Sequence, residues 1–381
     1  MTARVFFYVQ HLLGVGHVYR ALRIAYGLRD AGFTVDLVMG GVPIAGIDAS
    51  GFNVVQLQPL KAGSQGFGYL VTPLGEPAGA DLKAARAAEL LAAFAAARPD
   101  VLLIEAFPFG RRQVRFELLP LLKAAHARSR RPVIACSIRD ILQERVKPER
   151  MRETIDTLKR YFDQVIVHGD PSLVTLAATF PLADEIAAMT SYSGLVAPKP
   201  KRNAEAGRTY DTVVSAGGGA VGRQLMGAAI SAKARTSISD LRWLLVTGLN
   251  AGAADFAELA RRAADAQITV ERFVPDLPSV LTGARLSISQ AGYNTVSDIL
   301  VAQCRAVFIP FAAGGETEQS RRARLLEERG LCIAVAEQDL TADRLAEAID
   351  RAMLLPPPAA RLDLEGASRT AAILKSLLGR R

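Results

Sequence analysis

Residues 8–32 read YVQHLLGVGHVYRALRIAYGLRDAG. An apolar run, RVFFYVQ (4–10), leads into them, and after Gly14 and Gly16 the apolar positions recur at helical spacing. Strand, glycine turn, helix is the opening unit of a doubly wound α/β sheet. Two histidines, His11 and His17, bracket the glycines at the handover. Three uses fit such a turn: a phosphate cradle, a catalytic histidine set on a bend, or a bend alone.

Outward from this stretch the same rhythm repeats. Short β-branched runs are expected as strands at 4–10, 34–39, 53–57, 101–104, 132–136 and 164–168, then at 211–215, 241–246, 268–272, 284–288, 305–309 and 331–335. Alanine- and leucine-rich stretches separate them. Continuous apolar strands are buried on both faces, and their alternation with helices means parallel sheets. A polar stretch rich in Pro and Lys, APKPKRNAEAGRTY (197–210), reads as a linker. The expected architecture is two Rossmann-like α/β domains facing across a cleft: residues 1–197, a linker at 198–210, residues 211–360, and a C-terminal helix within 361–381 that could pack back on the first domain. At 381 residues, two domains are also the natural expectation from length.

Half the residues are hydrophobic and 22% are charged, the composition of a globular chain. Three scattered cysteines, Cys136, Cys304 and Cys332, offer neither a disulfide framework nor zinc spacing, which fits a reducing cytoplasm. No signal peptide is read at the N-terminus and no apolar run approaches the roughly 20 residues of a membrane span. The net charge of +8 is spread over both halves. Without a basic stripe and aromatic platforms, no nucleic-acid partner is expected. A mild positive surface suits an anionic small substrate or an acidic membrane face.

The opening loop is not a dinucleotide fingerprint. Gly14-Val15-Gly16 is followed by His17, Val18 and Tyr19, so the third glycine of G-x-G-x-x-G is missing, and the second strand ends in Met39-Gly40-Gly41 with no acid for a ribose. Neither half has the G-K-[ST] ending of a P-loop. What remains is a turn that sets His17 at a helix N-terminus, where imidazolium is disfavoured and a neutral ring can accept a proton. A plain helix-capping role for His17 stays open on this loop alone. His11 is expected to support the loop, His126 to lie on a helix surface and His168 to end a strand.

More information lies at 272–330. The strand at 284–288 runs into SQAGYNTVSD, where Gly292, Asn294 and Thr295 open a helix. Backbone N–H groups there make an anion site suited to a pyrophosphate, and Asp298, one turn on, could accept from both hydroxyls of a ribose. VFIPF then leads to GGETEQ, which puts Glu318 and Gln319 after a strand; a carboxylate beside an amide reads sugar hydroxyls well.

This pattern resembles the nucleotide-sugar site of GT-B glycosyltransferases, in particular glycosyltransferase family 28, which includes the peptidoglycan N-acetylglucosaminyl transferases. The resemblance rests on the Gly-x-Gly-His loop at 14–17, the loop AGGGAVGR at 216–223, and residues 272–330. It implies an inverting, metal-independent glycosyltransferase without a cofactor, with an expected UDP-sugar donor and a hydroxyl acceptor that could be lipid-linked. The implied setting is the cytoplasm, with peripheral contact at the inner membrane face. It further implies that Asp298 holds the ribose, that Gly292, Asn294 and Thr295 form the diphosphate turn, and that Glu318 and Gln319 hold the sugar. Phe273 and Val274 would read the base, Gly217, Gly218 and Gly219 would border the phosphates, and His17 would meet the acceptor hydroxyl.

Around these, Arg223 could meet phosphate or only solvate its helix. Glu105 could orient His17 or only pack, and Arg139 and Asp140 could touch the acceptor or pair with each other. The arginine pairs 111–112, 130–131 and 321–322 are expected as solvated surface, though the first two suit anionic lipid heads, and FGYLVTPLG (67–75) as an apolar loop that could touch a membrane but is better explained by packing onto the core. Departures from the family pattern, Leu12-Leu13-Gly14-Val15-Gly16-His17 for Gly-Gly-Thr-Gly-Gly-His and Glu318-Gln319 for Gln-Gln, point to an acceptor other than that of peptidoglycan synthesis. A nucleotide-sugar hydrolase or epimerase of the same fold, or a silent nucleotide-sugar binder, are the rival readings.

Overall fold

The computed structural model describes residues 2–12, 14–44, 46–63, 66–143, 147–199, 210–216, 222–248, 251–358 and 362–380. The chain divides into two compact units, Met1–Val196 with Glu365–Arg381, and Ala197–Leu364.

In the first unit the elements are β1 (Arg4–Val9), α1 (Gly16–Asp30), β2 (Thr34–Met39), β3 (Asn53–Gln56), β4 (Lys61–Gly63), β5 (Gly66–Val71), α2 (Ala80–Ala97), β6 (Val101–Glu105), α3 (Arg115–His126), β7 (Val133–Arg139), α4 (Pro148–Tyr161), β8 (Gln164–His168) and β9 (Thr190–Tyr192). The second contains β10 (Thr212–Ser215), α5 (Arg223–Lys233), β11 (Trp243–Val246), α6 (Ala253–Asp265), β12 (Ile268–Glu271), α7 (Leu277–Gly283), β13 (Leu286–Ser289), α8 (Tyr293–Ala302), β14 (Arg305–Phe308), α9 (Glu318–Glu327), β15 (Ile333–Ala334) and α10 (Ala342–Leu354). The chain then returns to the first unit as α11 (Gly366–Gly379).

Each unit is built on one parallel sheet. The strand orders are β3-β2-β1-β6-β7-β8-β9 and β12-β11-β10-β13-β14-β15. Every residue of β6, β8, β10, β11 and β13 is buried, as sheets covered on both faces require. Phe6, Tyr8, Leu102, Ile104, Ile134 and Val165 share the first core, and Val214, Trp243, Leu245, Ile288 and Val307 the second. Each such aliphatic or aromatic side chain contributes about 1.5–3 kcal/mol on burial.

Both sheets change direction at their centre. In the first, the chain runs outward from β1 through β2 to β3, then resumes on the other side of β1 with β6. In the second, the same reversal falls between β10 and β13. In open α/β sheets the crevice at the carboxyl ends of those two strands is where ligands bind.

Three strands escape sequence patterning. FGYLVTPLG is not a loop: β4 and β5 form an antiparallel hairpin with a register shift at Ala62/Gly63. The glycines and polar residues of AGSQGFG break the period-2 signal that would announce it. The short β9 pairs with β8 at the edge of the first sheet.

Helix α1 closes with Gly32 at φ 91° while Phe33 N donates to Leu28 O at 3.0 Å, a Schellman-type stop. On its length Gly27 meets α11, where a Cβ at 27 would lie 2.8 Å from Ala367 Cβ. Gly366 likewise sits against the Gly194 carbonyl. Small residues thus let two helices, and a helix and a loop, approach closely. The chain leaves the first unit beside the point of its return, since Val196 and Glu365 form an antiparallel bridge.

Candidate functional site

His17 is the second residue of α1, directly after the β1 turn, and Glu105 is the last residue of β6. The β1/β6 switch point therefore brings together residues 88 positions apart: His17 Nδ1 lies 2.8 Å from Glu105 Oε1. Glu105 is wholly buried, while the His17 side chain keeps 25% of its surface open. Arg20, one helical turn after His17 and itself buried, donates through Nη2 to the same Oε1. An ionised carboxylate only accepts, so the proton of a neutral imidazole sits on Nδ1 and the Nε2 lone pair is left as the basic site.

The electrostatics agree with that assignment. Burial lowers His17 to about 4; Glu105 pulls upward, and Arg111 and Arg20 add to the lowering. Burial would raise Glu105, yet His17, Arg20 and Arg111 hold it well below the usual carboxylate range. At neutral pH the pair is thus a carboxylate and a neutral imidazole.

The surrounding residues take supporting roles. His11 is buried with its ring against Gly41, where a Cβ would overlap the ring. His168 is buried at the end of β8, its nitrogens 2.7 Å from Ser137 Oγ and 2.8 Å from Ser193 Oγ, and burial lowers it to about 3. Asp140 is fully buried, its Oδ1 accepts from Ile141 N at 2.8 Å, and a Cβ on Gly169 would lie 2.5 Å from its own Cβ. Its buried carboxylate supports the loop after β7. Arg139 ends β7 half-buried. A Cβ on Gly14 would meet nothing within 4 Å, and Gly16 opens α1. His126, at the end of α3, is half-buried and holds the Tyr161 carbonyl through Nε2 at 3.0 Å.

In the second unit the β10/β13 switch point has two loops. Of the first, Gly217, Gly218 and Gly219 lie outside the described residues. The second carries Gly292 into α8: Gly292 is the N-cap, at φ −65° and ψ 149°, and no side chain caps the helix. The first-turn N–H groups of α8, including those of Asn294 and Thr295, precede the ladder of i→i−4 bonds and point beyond the helix start. A Cβ on Gly292 would make only ordinary contact, 3.8 Å from Thr295 Oγ1, and its φ is one any residue adopts. Packing within this chain does not require a glycine there; a ligand lying against the backbone would. Asp298 is half-buried one turn on.

Glu318 and Gln319 start α9, after β14. Gln319 Oε1 accepts from Phe311 N at 3.1 Å, which fixes the loop and directs its amide. Glu318 is buried and pairs with Arg322 at 2.8 Å. Arg322, expected at the surface, has no exposed area. It donates to the Ala291 carbonyl at 3.1 Å and lies over the Tyr293 ring at 5.6 Å, so it ties the α9 start to the loop that precedes α8. Phe273 follows β12 with 40% of its surface exposed, beside the half-buried Val274. Arg223 opens α5 and pairs with Asp255 of α6 in an exposed position.

The other basic pairs are also engaged. Arg111 reaches the Gln10 carbonyl at 2.7 Å, Arg112 pairs with Glu153, Arg130 with Asp100 at 3.0 Å and Arg131 with Asp163 at 2.9 Å. Of the residues at these sites, Arg20 is not singled out by the sequence, and Arg111 and Arg322 are read there as solvated surface. Arg20 was signalled by its place three residues after His17 on one helix face, and Arg322 by its place four after Glu318. Arg111, at φ 59°, had no local signal. Among the described residues, no group of three or more His, Cys, Asp or Glu could hold a metal ion, and no helix is long and apolar enough to cross a membrane.

Comparison with known proteins places these features. Residues 212–373 match the Glycosyltransferase family 28 C-terminal domain. Over 122 residues the chain is 32% identical to a UDP-N-acetylglucosamine–N-acetylmuramyl-(pentapeptide) pyrophosphoryl-undecaprenol N-acetylglucosamine transferase of Anaeromyxobacter sp., and over 101 residues 35% identical to the protein of that name from Cupriavidus pinatubonensis. These matches cover 32% and 26% of this chain and 32% and 28% of those relatives, so about a third of their length or less. Along its whole length the chain superposes on the calicheamicin glycosyltransferase CalG4 (TM-score 0.65, 18% identity, covering 100% of this chain and 99% of that one). It likewise superposes on Acinetobacter baumannii MurG (TM-score 0.62, 16% identity, covering 98% and 99%). The fold is GT-B.

Proposed function

We propose, from a GT-B fold whose residues 212–373 match the glycosyltransferase family 28 C-terminal domain, that this protein transfers a sugar from a nucleoside diphosphate donor to an acceptor hydroxyl. The donor is UDP-linked and the anomeric carbon is inverted. The observation that carries this reading is the 2.8 Å contact of His17 with buried Glu105 at the first switch point. It leaves an imidazole nitrogen ready to take a proton from a hydroxyl.

In this reading the acceptor oxygen forms its bond to the anomeric carbon as the bond from that carbon to the diphosphate oxygen breaks. His17 Nε2 takes the hydroxyl proton. A base lowered to about 4 is a weak one; it suffices because the attacking hydroxyl becomes strongly acidic as its bond to the cationic carbon forms. The start of α8, with Gly292, Asn294 and Thr295, receives the diphosphate charge. Asp298 accepts from the ribose, Phe273 and Val274 border the base, and Gln319 with the Arg322-paired Glu318 reads the sugar. Gly217 to Gly219 and Arg223 border the phosphates, and Gly14, Gly16 and Arg139 border the acceptor.

The relatives that match are named for an undecaprenol-linked acceptor. A lipid-linked acceptor at the inner face of the cell membrane is proposed here too. Tyr69 of β5, at 69% exposure, and Leu74 in the turn after it, at 87%, support a peripheral membrane contact.

Thermal stabilisation by a panel of nucleotide sugars, followed by mass spectrometry of products formed from lipid and polysaccharide extracts, tests the reading. Stabilisation by a UDP-sugar and an acceptor-dependent product are expected. Failure of every nucleoside diphosphate sugar to stabilise the protein would sink it. UDP release at a rate that no acceptor raises would convert it to a hydrolase.

A further inference from the structure

We propose that Arg20 is a positioning residue for the His17–Glu105 pair: it takes up the charge of the Glu105 carboxylate, so that Glu105 orients His17 without drawing a proton onto it. The inference deepens the reading above and rests on His17 as the base of that site.

A buried carboxylate beside a histidine has two stable outcomes. Alone with the imidazole, it stabilises imidazolium, because an uncompensated buried charge is costly and a proton on the ring supplies the missing partner. With a permanent cation already in place, the carboxylate is matched and the ring stays neutral. Only the second state leaves a lone pair for catalysis.

The geometry of this chain is the second case. Glu105 Oε1 receives both His17 Nδ1, at 2.8 Å, and Arg20 Nη2, and the two donors are themselves 3.3 Å apart. His17 and Arg20 occupy the first and second turns of α1, three residues apart, so one helix presents both to the end of β6. Arg20 is 3% exposed and Glu105 wholly buried, so water cannot replace either partner cheaply.

Arg111 also lowers His17, but of the cations around the pair it is Arg20 that is bonded to the Glu105 carboxylate. Arg111, on the loop after β6, adds positive charge and donates to the Gln10 carbonyl at 2.7 Å. Arg139, at the end of β7, adds a further positive charge that lowers Arg111. Tyr8 of β1 donates its hydroxyl to Glu117 of α3, and the Cys136 thiol of β7 is pushed up by burial. His168 of β8 is occupied by Ser137 and Ser193. Among these charges, the guanidinium seen to bond Glu105 is that of Arg20.

The chain has four histidines, so ¹⁵N-histidine NMR of the full-length protein can follow His17 without any substrate. In the wild type His17 should show the Nδ1-protonated tautomer and stay neutral down to pH 5. Arg20→Gln should raise its titration by about 1–3 pH units, the effect of one nearby charge; Arg20→Lys, which shortens the fork but keeps the charge, should leave it low. Equal shifts in both variants, or none in either, would overturn the proposal.

Should Arg20→Gln not fold, the double variant Arg20→Gln, Glu105→Gln buries neither charge. There His17 should be neutral but no longer held in one tautomer; an imidazolium at pH 7 would count against Arg20. In turnover, the acid limb of kcat/KM should move up in Arg20→Gln, whereas a merely structural role lowers the whole profile without moving it. The NMR result stands or falls independently of whether the protein transfers sugar. Loss of turnover in the wild type with the NMR shifts intact would reject the glycosyltransferase reading alone.

Discussion

The two switch points have the same topology and opposite equipment. At the first, the crevice between β1 and β6 holds buried charge: a carboxylate, a guanidinium and a neutral imidazole within hydrogen-bonding reach. At the second, backbone N–H and half-buried polar groups stand at the start of α8, and the charged pair, Glu318 with Arg322, is tied to the loop before it through the Ala291 carbonyl. A proton-transfer group needs a tuned environment, hence burial and a fixed partner. An anion needs dipoles aimed at it, which a helix start supplies without any side chain. One sheet topology thus serves two chemistries through the different turns and helices attached to its central strands.

The sharpest way to break this comparison is at the first crevice. His17→Ala should lower turnover about 10²–10⁴-fold, the usual contribution of a general base, with thermal stabilisation by UDP unchanged. A parallel loss of UDP stabilisation would show that the two crevices are not separate in role.

Next in size is the support behind the second crevice. Arg322→Met leaves Glu318 buried without its cation, which should cost about 3–5 kcal/mol in urea unfolding. Arg322→Met combined with Glu318→Gln should recover much of that stability but not the affinity for donor sugar. If the single variant is as stable as the wild type, the pair is not the strut that the geometry draws.

The smallest effect is expected from mild acid. Between pH 7 and 5 kcat/KM should be nearly flat and then fall as His17 titrates near 4. Stability behaves differently. His17 and His168 are depressed in the folded state, so their contribution is complete above about 6.5, the unfolded value, and is lost as pH falls through about 4 and 3. Each can lower stability by no more than about 1.4 kcal/mol per pH unit in that window. Titration of stability against pH, with His168→Gln as the comparison, checks the sign.

Most of the fold was legible because its signal is local. Buried parallel strands announce themselves as unbroken apolar runs, and the glycine turns come directly after them at the switch points. The β4–β5 hairpin was hidden because the sequence around it is glycine-rich; among the described side chains of its strands, Ala62 and Leu70 are the buried apolar ones. At the site, the residue types and their places after strands were visible, but not burial. Arg322 looked like a surface charge because charged residues are rarely buried unless paired. Its partner was four residues away, so the pair could be read in sequence while its depth could not. Asp140 shows the reverse, a residue in a plausible contact position that packing under Gly169 withdraws from solvent.

The return of α11 to α1 carries a consequence for how the molecule is made. The second unit is an insertion in the first, bounded by the bridge between Val196 and Glu365. On the ribosome, residues 1–196 emerge long before the helix that Gly27 is shaped to receive. The later-encoded unit can therefore finish first, and the chain then returns at Glu365 beside its point of departure, Val196. The earlier-encoded sheet waits for its covering helix, so order of synthesis and order of completion are reversed in this chain.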